Sequence, residues 1–135
     1  MSAKFPVKLD YTVFRTLVNG IFADAIRLNR DFFYTDSKYV NDTIIYSGFT
    51  SDGASVPSWL WRKFPPFGKY LEAAVVHDYF CVLGHAGKSP IDSKVAALVF
   101  REAMKSCGIP AWKISLMYSA VKWLGPKFKS KIKNA

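Results

Sequence analysis

Cysteine is scarce. Only Cys81 and Cys107 occur, which excludes the disulfide framework of a small secreted domain. Two histidines, with the cysteines 26 residues apart, leave no zinc-ligand spacing. No apolar run approaches the roughly 20 residues of a membrane span, and Met1 to Asp10 carry no apolar core of a secretory signal. Internal repeats, low-complexity tracts and linkers are absent. Acid is short as well: 10 Asp and Glu stand against 19 Lys and Arg, with none after Glu102. The expectation is a soluble protein made in a reducing cytoplasm.

What is present suits one core. The chain has 135 residues, half of them apolar and 16% aromatic, with a net charge of +9. That is enough for one domain and too little for two, so residues 1–125 read as a single domain and 126–135 as a basic tail. Lys105, Lys113, Lys122, Lys127, Lys129, Lys131 and Lys133 follow the last acid. Such asymmetry suggests an anionic partner: nucleic acid, a lipid surface or an acidic protein. The alternative is a solvated terminus that only aids solubility. In the tail, Lys127, Lys129, Lys131 and Lys133 alternate with smaller or apolar residues, as a strand on an anionic surface would. Each lysine near an anionic leaflet contributes about 1 kcal/mol. Without arginine or a reading motif, contact with nucleic acid would be non-specific and to phosphate.

The front half reads as strands and the back half as helices. Phe32–Tyr34 and Thr43–Tyr46 are aromatic and β-branched runs separated by Asp, Ser and Asn turn residues, which predicts a hairpin. Residues 11–29 are open. Phe14, Leu17, Val18 and Ile21 fit a helical stripe, while Asn19-Gly20 fits a hairpin turn. Glycine, proline and aromatics crowd residues 47–68, an ordered loop of the kind that carries function. Three helices are predicted: about 69–82, stopping near Gly84; a second capped by Ser89 with Pro90 first and Asp92 as the capping-box acid, ending at Gly108; and a third from about 111 to 124. The fold class is α+β, a small antiparallel sheet and ordered loop followed by three packed helices.

One constellation carries chemistry. His77-Asp78 follows the apolar run Ala73–Val76 in mid-helix, where burial is otherwise wanted. Neighbouring helical positions point about 100° apart, so the two side chains serve different tasks. Upstream, Gly48–Pro57 offers glycine-freed carbonyls and the Asp52 carboxylate, the oxygen donors a hard cation takes. The Asp52-Gly53 loop and Asp78 together can hold a divalent ion such as calcium. His77 would then activate water for attack on an ester or phosphoryl centre. The competing reading is a buried pair satisfied within the core.

The segments Gly-Phe-Thr-Ser-Asp-Gly-Ala-Ser-Val-Pro (48–57), Ala-Val-Val-His-Asp-Tyr (74–79), Phe-Arg-Glu-Ala-Met-Lys (100–105) and Met-Tyr-Ser-Ala-Val-Lys (117–122) resemble a family of small phage and prophage proteins of unknown function. The resemblance covers about residues 30–125. It implies a phage or prophage accessory protein, present in the host cytoplasm as made and then released on lysis or carried in the virion. A more distant resemblance links the chain to the bacterial branch of the secreted calcium-dependent phospholipases. It implies a phospholipase-like helical core, His77 as general base, Asp78 as calcium ligand and the Asp52-Gly53 region as the calcium loop. Hydrolysis of a lipid or envelope ester would follow.

The chain departs from both families at one position. An acid that orients the histidine is expected seven residues before Met104, and Ala97 stands there. Asp92 and Glu102, each five residues off, lie about 140° round the helix. Asp31, Asp36 and Asp42 of the front half are the remaining substitutes. The alternative is therefore a non-catalytic virion, tail-associated or host-interaction protein that keeps the scaffold, with a phage structural protein as partner. Trp59, Trp61, Arg62 and Lys63 flank the loop, as a rim for lipid or partner or as packing. Cys81 and Cys107 read as small apolar core residues.

Overall fold

The computed structural model describes residues 3–18, 20–51 and 70–131. Most of the loop expected over residues 47–68, with Asp52, Gly53, Trp59, Trp61, Arg62 and Lys63, lies outside the described residues, as does Lys133.

The open choice at the front resolves to a hairpin. Strands β1 (Tyr11–Val18) and β2 (Ile21–Leu28) pair antiparallel from Tyr11↔Leu28 to Val18↔Ile21. A two-residue connection of this kind demands positive φ, and Gly20 supplies it at 79°. The apparent helical stripe fails because its members do not share a buried side: Leu17 is exposed and Phe14 lies under the Arg27 guanidinium. At the open end Asn29 ties Asp10 to Thr12 through side-chain bonds of 2.9 and 3.0 Å.

Strands β3 (Phe32–Tyr34) and β4 (Thr43–Ile45) form the predicted second hairpin. Strand β5 (Thr50–Ser51) then adds to the outer side of β2, giving the order β1-β2-β5. Phe5 stacks on Phe32 with ring centroids 5.3 Å apart and Lys4 bridges Thr35, so the N-terminal segment lies along the second hairpin.

Helix α1 (Leu71–His85), α2 (Ser93–Ser106) and α3 (Ala111–Leu124) follow, each packed on the next. Buried Ile26 and Leu28 of β2 and Phe32, Tyr34 and Ile45 of the second hairpin join Val75, Val76, Phe80, Val99, Phe100, Met104 and Met117 in one core. No helix among the described residues is long and apolar enough to cross a membrane.

Two helix boundaries differ from the sequence reading. Helix α1 runs on to His85, and the residue that ends it is Gly87 (φ 72°), with Lys88 N–H donating to the Leu83 carbonyl. Helix α2 begins at Ser93, and Asp92 is its N-cap, accepting from Val95 N–H at 2.9 Å. Ser89 cannot cap because it is buried, its hydroxyl donating to the Ile91 carbonyl at 2.6 Å.

Gly84 has a different task. A Cβ there would fall 2.3 Å from the ring of Phe128, so the missing side chain is the seat for the first half of the basic segment. Phe128 also accepts from Ser93 N–H at 3.0 Å, while Lys131 N–H donates to Ser89 at 2.8 Å. Residues 128–131 are thus tied to the α1–α2 junction, with Lys127, Lys129 and Lys131 exposed. Gly84→Val is expected to expel the ring and cost about 1–3 kcal/mol of stability. Trypsin should then cut after Lys127 and Lys129 much faster than in the unsubstituted protein. Equal cleavage rates would contradict the docked arrangement.

Candidate functional site

Helix α1 carries His77 and Asp78 into the interior because residues 73–78, spaced about 100° apart, are buried around its whole circumference. His77 is 2% exposed and Asp78 7%. The imidazole is packed against apolar and sulfur surfaces: Phe100 of α2 lies 5.1 Å away, centroid to centroid, and Cys81 Sγ is 3.8 Å from each ring nitrogen. Burial disfavours the imidazolium and pulls the His77 pKa down to about 4. The ring is therefore neutral near pH 7.

Position 97 bears on what that ring can do. Ala97 is buried on α2, one turn before Phe100. The other acids named as substitutes are committed elsewhere. Asp31 accepts from Ser47 N–H at 2.8 Å, Asp42 from Asp36 N–H, and Asp36 faces Lys4 at 3.7 Å. Asp92 caps α2. Asp10 and Asp24 face Arg30 and Arg15 in the first hairpin. Glu72, five residues before His77 on α1, lies about 140° round the helix. Its carboxyl is pushed up by burial, and its charge acts on Cys107, whose thiol burial raises to about 11.

Glu102 is the acid whose role the sequence did not disclose. Its Oε1 accepts from Tyr34 Oη and Ser37 Oγ, both at 2.6 Å, and Oε2 accepts from Lys38 N–H at 3.0 Å. One carboxylate on α2 thus holds the β3–β4 hairpin and its connection against the helices. Tyr34 is fully buried, and burial together with Glu102 keeps its phenol protonated far above the ordinary range. No local pattern signals this contact, since 64 to 68 residues separate the partners.

The calcium ligand set expected from the sequence is only partly within the described residues. Asp78 offers a buried carboxylate, while Asp52 and Gly53 lie outside the described residues. Among the described residues no group of three His, Cys, Asp or Glu could hold a metal ion. Two open clefts lie elsewhere. One of about 790 Å³ runs between the β3–β4 connection and the α1–α2 junction, with Tyr39, Tyr46, Tyr79, Lys88 and Lys131 on its walls. The other, about 970 Å³, separates α2 from α3, and Arg101, Lys105 and Tyr118 line it. Arg101 lies 4.8 Å over the Tyr118 ring.

Comparison with known proteins gives a family and no activity. A family model described as "Protein of unknown function (DUF1353)" matches residues 26–121. A protein of Sinorhizobium fredii, described as uncharacterized protein y4jT, is 35% identical over 117 residues. That match covers 79% of this chain and 32% of the relative, so the chain spans about a third of that protein's length. No solved structure matches.

Proposed function

The chain belongs to the DUF1353 family, and from that premise we propose that it is a non-catalytic accessory protein of phage or prophage origin, a binding module for an anionic partner. One observation carries the reading. His77 is sealed between Phe100 and Cys81, with Ala97 where an orienting acid would stand. The acid that orients the base of a catalytic triad is worth roughly 10⁴ in rate, and the Ala97 side chain cannot supply it. The pair then acts as packing and anchor, and the function lies on the outer, basic surface.

A second reading is favoured by the path of the chain. β5 packs against α1 and ends at the buried Ser51, one residue before Asp52. Asp52 and Asp78 would then hold calcium beside His77, in the manner of a phospholipase acting on a lipid or envelope ester.

Ala97→Asp separates the two. If the site is a lapsed hydrolase, the new carboxylate orients His77 and short-chain acyl-ester hydrolysis appears. The binding-module reading expects no turnover and a loss of stability, because a carboxylate has been placed in the core. A calcium titration by calorimetry, wild type beside Asp78→Asn, gives a second check. The proposal expects no saturable heat in the millimolar range in either protein, whereas the hydrolase reading expects binding that the substitution removes.

A further inference from the structure

Helix α3 buries Ile114, Met117, Ala120 and Val121 against α2 and the core. Its opposite side is not the polar surface such a helix ordinarily shows. Trp112 is 64% exposed, Leu116 40% and Trp123 73%. With the exposed Ser119 they fall at spacings of four, three and four residues, one stripe running about 16 Å along the axis. Large aromatics standing this far into solvent mark an interaction surface.

Charge identifies the partner. Lys113 Nζ lies 5.4 Å over the Trp112 ring, and Lys122 Nζ 5.5 Å over Trp123, so each indole carries an ammonium beside it. No acid follows Glu102. The docked segment beyond α3 adds exposed Lys127, Lys129 and Lys131.

We propose that the exposed side of α3 is a membrane-contact surface, with Trp112, Leu116 and Trp123 entering the headgroup layer of an anionic bilayer and Lys113 and Lys122 meeting its phosphates. The proposal rests on the binding-module reading and names that module's partner. Indole rings favour the headgroup level, where one edge is apolar and the N–H stays wet. A helix of 14 residues is too short to span a bilayer and suits lying in its plane. Single-stranded nucleic acid fits less well. It uses aromatics inside a basic groove, whereas these two tryptophans stand on an outward helix ridge. All seven cations after Glu102 are lysines, which supply point charge rather than the bidentate fork of a phosphate reader.

The test uses the full chain with vesicles of phosphatidylcholine alone or mixed with phosphatidylglycerol. Its variants are Trp112→Ser/Trp123→Ser and Lys113→Gln/Lys122→Gln, and circular dichroism checks that each is folded. Wild type should co-sediment with the anionic vesicles, and acyl-chain bromination should quench tryptophan emission. The paired Trp substitutions should weaken binding about tenfold or more and remove most of the quenching. Unchanged vesicle affinity in that variant overturns the proposal. So does concentration-dependent dimerisation through these residues in the absence of vesicle binding. Binding to heparin or single-stranded DNA without vesicle binding overturns the lipid assignment and leaves the binding-module reading standing. Absence of all these interactions removes both.

Discussion

Glu102→Ala is expected to destabilise the protein by about 3 kcal/mol, a large share of the 5–15 kcal/mol that holds a typical domain folded. The residue is only half-buried, so the effect does not come from lost packing. It comes from three donors that lose a charged acceptor at once: Tyr34 Oη, Ser37 Oγ and Lys38 N–H. Tyr34 is 0% exposed, and its hydroxyl would be left to find a new partner inside the core. Bonds to a carboxylate are individually stronger than neutral ones, and a shared acceptor couples them. Urea unfolding of Glu102→Ala, Tyr34→Phe and the double variant forms the appropriate cycle. The double variant should be less destabilised than the sum of the singles. Additive effects, or a Glu102→Ala cost below about 0.5 kcal/mol, the size typical of an ordinary surface substitution, would mean that the carboxylate does not hold the hairpin.

The second large effect concerns acid. His77 is held at about 4 in the folded protein, below the ordinary value of 6.5, because burial disfavours its charged form. The unfolded chain therefore binds a proton that the folded chain refuses. Stability should be fully present above about pH 6.5 and be lost as pH falls from there through about 4, by about 3 kcal/mol for this group. Carboxylates also contribute to acid unfolding, so the difference against His77→Phe isolates the imidazole. In that variant the loss between about pH 6.5 and 4 should shrink by the amount assigned to His77. Parallel pH–stability curves for the two proteins would show that the ring is not buried neutral.

How much of this was legible depended on distance along the chain. Asn19-Gly20 and the Asp-Ser-Lys turn at 36–38 announce local geometry, and both hairpins follow from them. The three helices were visible as alternations of apolar runs with Gly and Pro. Their ends were less so, since two residue types compete for each task. Ser89 and Asp92 are both good caps, and the choice between them was made by burial of Ser89. Gly84 looked like a terminator, but it is open space for Phe128, a contact across 44 residues that no window on the sequence contains. Glu102 is the same case: its partners lie in the other half of the chain. The His77-Asp78 pair was conspicuous because it interrupts an apolar run, yet the pattern alone could not choose between base and core residue. Phe100 and Cys81 around the ring favour the second.

The account turns on the state of that ring. The most direct measurement is a nitrogen-15 and proton correlation spectrum of the two imidazoles, followed from about pH 5 to 8, the range in which an ordinary histidine changes charge, with and without millimolar calcium. A ring buried neutral predicts that His77 keeps its uncharged form throughout, unmoved by calcium. A His77 midpoint between about 6 and 7, or a calcium-dependent shift at His77 absent from Asp78→Asn, would contradict it and restore the hydrolase.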